Sequence, residues 1–199
     1  MQNSFLHATQ QICSIRVCPM ASLVEKILAV HSSLEIAELS HAFGGALALA
    51  WCTEQARGTI DIDVNVMADV SKSEVILGSM PKETTWTDED LQRLTQEGQV
   101  RIWWENTPLD IFLNSTPYHD HLWQRIHWEH FADNQLPFLS CLDLAVFKAF
   151  FNRTKDWADL EAMQDAGALD REAVGKILSE LLGSDDERLT RLYGMGPIE

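Results

Sequence analysis

Two carboxylates separated by a single residue are the side chains in this chain best placed to do chemistry. Asp61 and Asp63 lie in a run from residue 59 to 66 that alternates polar and apolar residues, as a half-buried strand does. Successive strand side chains point to opposite faces, so both carboxylates are expected on one face. The residues expected to face the core are Ile60, Ile62, Val64 and Val66. Neighbouring carboxylates repel unless a cation, a proton or open water compensates them, and Mg²⁺, with Mn²⁺ as the alternative, is the cation that fits oxygen ligands.

A pair of glycines precedes this strand. Gly44 and Gly45 stand before an apolar run, residues 46–51, that predicts a buried helix beginning at the pair. The N-terminus of such a helix presents unpaired N–H groups, and glycine lets a phosphate approach the backbone closely. The two parts of a nucleotide site, a glycine turn for the phosphate and a carboxylate pair for its metal, are therefore predicted within a short stretch of sequence.

A third carboxylate follows in a predicted hairpin. Residues 100–104 and 109–113 read as two strands joined through residues 105–108, whose Asn and Pro favour a turn. Asp110 then points away from the apolar face of the second strand. If the hairpin lies beside the Asp61 strand, Asp110 completes a three-carboxylate cluster able to bind two metals for in-line phosphoryl transfer.

Further polar residues are predicted to share one helical face. Lys148, Asn152, Lys155 and Asp159 occur at i, i+4, i+7 and i+11, and the two lysines suit a triphosphate or the carboxylate cluster. The alternative is an ordinary solvated face with a Lys155–Asp159 pair. Arg57 has two interpretations as well, since it can contact phosphate or neutralise the carboxylates.

Taken together, these motifs resemble a known family. A Gly-Gly turn, a helix, the strand Arg57-Gly58-Thr59-Ile60-Asp61-Ile62-Asp63 and the later Leu109-Asp110-Ile111 resemble the nucleotidyltransferase fold of the DNA polymerase beta superfamily. Residues 143–148 and 153–160 are similar to the C-terminal signature of the AbiEii-like toxin branch. The resemblance spans roughly residues 40–163.

The resemblance implies a fold, a reaction and a set of site residues. The implied fold is α+β, a nucleotidyltransferase-type mixed β-sheet flanked by helices, with a C-terminal helical portion. The implied reaction moves a nucleoside monophosphate from a nucleoside triphosphate to a hydroxyl of tRNA or protein, and an antitoxin protein is an implied partner. Asp110 would also accept the proton of the attacking hydroxyl. The implied catalytic and metal-binding residues are Asp61, Asp63 and Asp110. The implied nucleotide-binding residues are Gly44, Gly45, Arg57, Thr59, Lys148 and Lys155.

One departure from the family pattern keeps a second hypothesis open. Many members carry Gly-Ser where this chain has Gly44-Gly45, so a hydroxyl that would help to hold the phosphates is absent. The alternative is a non-catalytic nucleotide-binding or partner-binding protein that retains the fold. An open trio within reach of a shared metal would favour the enzyme, whereas a trio capped by Arg57 or Lys148 would favour the alternative.

Length, composition and charge limit the organisation and the partners. The 199 residues, 46% of them hydrophobic, suit one compact core, which we expect over residues 20–135, with a helical portion over 136–199 and an extension over 1–19. No apolar run approaches the ~20 residues of a membrane span, so no membrane partner is expected. The net charge of −15 is the wrong sign for general attraction to nucleic acid, and a protein substrate, a small molecule or a basic partner protein fits it better. Only Arg153, Lys155 and Lys148 near the site, with Arg188 and Arg191 at the tail, begin to form a local basic strip.

The cysteines and histidines give two further expectations. Cys13, Cys18, Cys52 and Cys141 contain no Cys-x-x-Cys pair, which predicts free thiols in the cytoplasm. The spacing of four later histidines allows a zinc site, while the aromatic and aliphatic residues between them favour a helix or loop packed on the sheet as a lid. These histidines are His119, His121, His127 and His130.

Overall fold

A computed structural model describes residues 20–56 and 58–196 of the chain. The predicted extension over 1–19 and the candidate phosphate ligand Arg57 lie outside the described residues. The strands are β1 (His41–Phe43), β2 (Ile62–Val66), β3 (Thr84–Thr85), β4 (Gln99–Trp104), β5 (Thr107–Phe112), β6 (His127–Phe131) and β7 (Asn134–Phe138). The α-helices are α1 (Leu23–Ile36), α2 (Gly45–Thr53), α3 (Ser73–Ser79), α4 (Asp88–Glu97), α5 (Cys141–Phe151), α6 (Thr154–Asp165), α7 (Arg171–Leu182) and α8 (Glu187–Tyr193). Two 3₁₀ helices cover Val70–Lys72 and Pro117–Arg125.

The strands form one mixed sheet of seven strands in the order β3-β4-β5-β2-β1-β7-β6. Strand β2 runs antiparallel to β1 and parallel to β5, so it lies between the strand that leads into the glycine pair and the strand that carries Asp110. Helices flank the sheet, and α5 packs against α2, α6, α7 and α8. The predicted α+β architecture, with a mixed sheet, flanking helices and a helical C-terminal portion, is confirmed. The boundary expected after residue 135 falls inside β7, and none of the described helices is long and apolar enough to cross a bilayer.

Strand β2 begins at Ile62, later than the start near residue 59 that its sequence pattern suggests. Ile62, Val64 and Val66 are buried in the core as expected. The prediction for Ile60 is wrong, because its side chain is 69% exposed. The Thr59 hydroxyl accepts a hydrogen bond from the Asp61 backbone N–H (3.1 Å), which forms a local turn just before the strand. Alternation therefore holds only from Ile62 onward.

The predicted hairpin is present and its turn is short. Strand β4 alternates exposed and buried residues, and its register with β5 pairs Arg101 with Asp110 and Trp104 with Thr107. The turn is formed by Glu105 and Asn106 alone, with Glu105 in the left-handed region at φ +53°. The residues 107 and 108 that were expected in the turn belong to β5. The register aims Arg101 and Asp110 at the same face of the sheet.

The single helical stripe expected over residues 148–159 does not exist. Asn152 adopts a left-handed conformation at φ +57° and ends α5, and α6 starts two residues later at Thr154. The Asn152 side-chain carbonyl accepts a hydrogen bond from the Trp157 indole N–H (2.7 Å), which fixes the corner between the helices. Asparagine tolerates this backbone conformation better than most residues, so it acts as the C-terminal cap. Lys148 and Lys155 consequently lie on different helices.

A disulfide joins Cys52 at the end of α2 to Cys141 at the start of α5. The two Cα atoms are 5.6 Å apart although 89 residues separate them in sequence. The prediction of free thiols is wrong for this pair, because the packing of α2 on α5 brings together cysteines that local spacing does not relate. Cys13 and Cys18 lie outside the described residues.

Candidate active site

The glycine pair forms a tight turn directly against Asp63. The Gly44 N–H donates to the Asp63 carbonyl oxygen (2.9 Å), and Gly45 has φ +53°, a conformation that favours glycine. A Cβ at position 44 would lie 2.9 Å from the Asn65 amide nitrogen, and a Cβ at position 45 would overlap the Asp63 carboxylate. Both positions therefore need glycine because the β2 side chains reach the turn. Helix α2 begins at this turn and directs its first N–H groups toward the same space.

The two central carboxylates are neighbours across adjacent strands. In the parallel pairing of β2 with β5, Asp63 is aligned with Asp110, and Asp61 lies just before β2. The alignment follows from the burial of Ile62, Val64, Leu109 and Ile111 on the other face. The structure thus brings Asp61, Asp63 and Asp110 to one end of the strand pair.

An arginine lies between two of these carboxylates. The Arg101 guanidinium donates two hydrogen bonds to Asp110 (2.7 and 2.6 Å), and its Nη2 is 3.9 Å from an Asp61 carboxylate oxygen. The Asp110 hydrogen bonds hold the pKa of Arg101 above its usual range. With Arg101 in this position, the three carboxylates do not share one tight cluster. Among the described residues, three ligand atoms all within 4.8 Å of one another occur in a histidine–glutamate group elsewhere.

Arg101 is the residue that reasoning from sequence missed. The sequence predicts Arg57 or Lys148 as the cation that would neutralise the three carboxylates, yet the guanidinium that contacts two of them comes from Arg101 on β4. Its signal was present in the sequence, because a two-residue hairpin turn after Trp104 places residue 101 opposite residue 110. The turn had been expected to be longer, which hid the register.

Asp63 is the carboxylate with the most unusual environment. Burial, and after it the nearby charges of Asp110 and Asp61, raise its pKa from 3.8 to about 6, while Lys148 and Lys155 oppose the shift. Its side chain forms no hydrogen bond or ion pair with any residue in the described ranges. The like charges beside it and the lack of a partner make it a group that gains from binding a cation or a proton.

Two of the remaining candidate residues, Lys148 and Thr59, are engaged in contacts within the protein. The buried Lys148 Nζ contacts an Asp159 carboxylate oxygen at 2.6 Å, so Lys148 rather than the expected Lys155 is the lysine that contacts Asp159. Lys155 is exposed on α6 and acts on Asp63 through its charge. The Thr59 hydroxyl is occupied by the Asp61 backbone. Lys148 and Lys155 therefore reach the carboxylate site, though from two helices.

A cavity of about 270 Å³ opens beside Asp63. Gly45, Asp63 and Lys148 line its polar end. Its aromatic wall consists of Phe112, Tyr118, Phe147, Phe150 and Phe151. A mostly apolar cavity with a few convergent charged groups is the usual form of a small-molecule site.

The local basic strip that the sequence suggested is largely neutralised. Arg153 contacts Asp156 (2.7 Å), Arg188 contacts Asp186 (2.7 Å) and Lys148 contacts Asp159. Paired cations contribute little to a field that attracts a polyanion. Local charge thus agrees with the net charge of −15 in disfavouring general nucleic-acid binding.

The later histidines do not form the alternative zinc site within the described residues. His119 forms a hydrogen bond with the Thr116 hydroxyl (2.8 Å) and lies against Phe147. His127, on β6, lies against Trp51 of α2. His130 contacts Gln135 (3.0 Å). These imidazoles act in packing and hydrogen bonding, and the segment is a 3₁₀ helix followed by a strand.

The fold is that of the nucleotidyltransferases. The solution structure of the antibiotic-resistance factor ANT(2'')-Ia is similar over 87% of this chain and 97% of its own length, with a TM-score of 0.57 at 13% sequence identity. An antigenic nucleotidyltransferase-like protein from Paracoccidioides brasiliensis is similar over 86% of this chain and 93% of its own, with a TM-score of 0.47 at 12% identity. The lincosamide antibiotic adenylyltransferase LnuA, in its lincomycin-bound form, is similar over 70% of this chain and 94% of its own, with a TM-score of 0.44 at 13% identity. No protein-family model and no curated protein matches the sequence. At such identities the likeness establishes the fold and not the activity.

Proposed function

We propose that the protein is a metal-dependent nucleotidyltransferase that moves a nucleoside monophosphate from a nucleoside triphosphate to a hydroxyl acceptor. The observation that carries this proposal is Asp63. Its carboxylate lies against the glycine turn, between Asp61 and Asp110, with no hydrogen bond or ion pair from the described residues. Repulsion of this kind is compensated when a cation binds.

The donor set fits the proposed metal in its chemistry, and Arg101 must release Asp110 before the three carboxylates can share one ion. Asp61, Asp63 and Asp110 offer carboxylate oxygens, which Mg²⁺ and Mn²⁺ prefer and which leave coordination positions for phosphate oxygens. When bound, the metal would supply positive charge to the triphosphate. The raised pKa of Asp63, about 6, reports the electrostatic cost that the metal would remove.

Each residue then has a defined task in the transfer. The acceptor oxygen attacks the α-phosphorus, a new O–P bond forms, and the bond from that phosphorus to the pyrophosphate oxygen breaks. The acceptor proton passes to a carboxylate, for which Asp110 is the candidate once Arg101 releases it. Gly44 and Gly45 lie where their backbone can approach the triphosphate, Lys148 and Lys155 add positive charge, and the aromatic cavity suits a base.

The acceptor and partner follow from the resemblance and from charge. An AbiEii-like role implies tRNA or a protein as acceptor and an antitoxin protein as partner. The net charge of −15 and the paired arginines favour a protein acceptor. The proposal includes a cytoplasmic setting, where nucleoside triphosphates are found.

A second function is favoured by one observation. Arg101 holds both oxygens of Asp110 at 2.6 and 2.7 Å, as a structural ion pair would. A protein that keeps this contact would bind a nucleotide or a partner without turnover. The same contact in an enzyme must open when metal and substrate enter.

The test is a transfer assay with matched variants. Purified protein is incubated with each radiolabelled nucleoside triphosphate, Mg²⁺ and a cell extract, together with Asp63→Asn and the control Asp165→Asn. Asp165 is exposed at the end of α6, so the control removes the same charge away from the site. Label that enters protein or RNA with the wild type and the control, but not with Asp63→Asn, supports the enzyme. Nucleotide binding without transfer supports the second function, and absence of both overturns the proposal.

A further inference from the structure

A second group of potential metal ligands lies at the opposite end of β1 from the glycine turn. His31 and Glu35 are one turn apart on α1, so they share a helix face, and His41 is the first residue of β1. One ligand atom from each of the three residues lies within 4.8 Å of the other two. His41 pairs with Val66 at the far end of β2, whereas Phe43 pairs with Val64 next to Asp63, so this group is separate from the carboxylate site.

The hydrogen bonds of His41 already orient it as a ligand. Its Nδ1 lies 2.9 Å from the Leu39 carbonyl oxygen, which only accepts, so Nδ1 carries the proton. Its Nε2 then presents a lone pair, which faces His31 Nδ1 at 2.9 Å. A backbone carbonyl that fixes the tautomer of an imidazole is the usual outer support of a metal-bound histidine.

The two facing nitrogens share one proton in the metal-free protein. Burial lowers the pKa of both imidazoles, so the neutral forms are favoured and His31 Nδ1 donates to His41 Nε2. A metal bound to both nitrogens requires that the His31 proton move from Nδ1 to Nε2 of the same ring and that the two rings tilt until both lone pairs point at the ion. Tetrahedral Zn–N bonds of ~2.0–2.1 Å separate two ligand nitrogens by about 3.3 Å, so the observed 2.9 Å needs little adjustment.

We propose that His31, Glu35 and His41 form a binding site for Zn²⁺, with a fourth position open to water. Two nitrogens and one carboxylate oxygen suit zinc, whereas Mg²⁺ prefers oxygen ligands throughout. Glu35 is exposed and long enough to adjust, while His41 is 2% exposed and fixed. The bound ion would tie the end of α1 to the start of β1, the strand that leads into Gly44.

Calorimetric titration of the whole, EDTA-treated protein with ZnCl₂ tests the site. The wild type is expected to bind one equivalent more tightly than any further zinc. His31→Gln and Glu35→Gln should each weaken that first equivalent by more than tenfold, and MgCl₂ should not compete for it. The control is His130→Gln, which removes an exposed imidazole on β6 that contacts Gln135. A first equivalent that binds His31→Gln as tightly as wild type, or no zinc binding, overturns the proposal.

Imidazole ¹⁵N spectra of the wild type give a readout that needs no variant. The first equivalent of zinc should shift His31 Nδ1 and His41 Nε2, move the His31 proton to Nε2 and leave the His41 Nδ1 proton in place. Zinc that first shifts other histidines contradicts the assignment. Because these signals are independent of the carboxylate site, their outcome is distinct from the result of the transfer assay.

Discussion

In helices α5 and α6, each of the buried carboxylates Asp143, Asp156 and Asp159 contacts a cationic side chain, whereas Asp63 on strand β2 has no such contact among the described residues. The cationic partners of these carboxylates are Arg125 for Asp143, Arg153 for Asp156 and Lys148 for Asp159. Both regions border the same cavity. A buried charge in the scaffold is compensated by the protein, because an unpaired one would destabilise the fold. The charge of Asp63 has no such compensation from the described residues, as a carboxylate of the proposed metal site would require.

The comparison also separates two kinds of ion pair, one in the sheet and one in the helical scaffold. Asp110 is held by Arg101, whose side chain is 47% exposed, while Asp143 is held by groups that are more enclosed. An exposed pair contributes little to stability and is readily exchanged for another cation. In the proposed function, the strand site is therefore the place where a metal ion would replace a cation of the protein.

The largest effect on stability is expected from removing one of the paired, buried carboxylates of the helices. Asp143 is fully buried and accepts hydrogen bonds from Arg125 (2.7 Å), Tyr118 (2.5 Å) and Ser140 (2.5 Å). Asp143→Ala leaves these donors without their acceptor, so the free energy of unfolding should fall by about 3–5 kcal/mol. Urea denaturation measures this, with Asp165→Ala as the exposed control. A loss below about 1 kcal/mol would show that the network is not needed.

Removal of the Asp63 charge should raise the free energy of unfolding, whereas removal of the Asp143 charge should lower it. A pKa raised from 3.8 to about 6 means that the folded state binds the proton more tightly than the unfolded state. The resulting penalty is absent below pH 4 and complete above pH 6, and it amounts to roughly 3 kcal/mol at 1.36 kcal/mol per pKa unit. In EDTA, Asp63→Asn should therefore gain stability over the wild type as the pH rises through this window.

Urea denaturation of both proteins at pH values from 4 to 7.5 gives this difference. We expect it to be near zero at pH 4 and to level off above pH 6.5. Addition of Mg²⁺ should stabilise the wild type and leave Asp63→Asn unchanged. A difference that stays constant with pH would mean that Asp63 is already compensated.

Gly45→Ala tests the close approach of the turn to Asp63. The change places a residue with a Cβ at φ +53° and against the carboxylate, so unfolding free energy should fall by about 1–3 kcal/mol. Gly167→Ala is the matched control, because Gly167 has φ +71° and open space around the added Cβ. In an Asp63→Ala background the cost at position 45 should fall to that of the control. Equal costs with and without Asp63 would refute the contact.

Local rules predicted the scaffold of the site better than its partners. Alternation over residues 62–66 and 99–104 follows from burial of one face, and Gly45 follows from the positive φ of the turn. These features depend on residues that are close in sequence, so the order of glycine turn, strand and hairpin could be predicted. The alignment of Asp63 with Asp110 followed once the hairpin was docked beside β2.

The contacts that were missed are between residues distant in sequence or depend on one backbone angle. The Cys52–Cys141 bond and the His31–His41 contact both join two secondary-structure elements, and no spacing rule indicates them. The left-handed Asn152 divided a helix whose periodicity continued unbroken in the sequence. A single φ value thus places Lys148 and Lys155 on different helices, and Lys148 contacts Asp159.

The smallest effect on stability, and the sharpest on function, is expected from Arg101→Gln. The Arg101–Asp110 pair is partly exposed, so its loss should cost less than about 1 kcal/mol of unfolding free energy. If Arg101 occupies the place of a cation, its removal frees Asp110 and should raise the affinity of the strand site for Mn²⁺ severalfold. The control is Arg93→Gln. Arg93 is exposed and lines an open groove together with Arg101 and Asp110, and its substitution should leave that affinity unchanged. A weaker Mn²⁺ affinity in Arg101→Gln would mean that the guanidinium positions Asp110 for the metal, and the contrast between a closed scaffold and an exchangeable site would then rest on Asp63 alone.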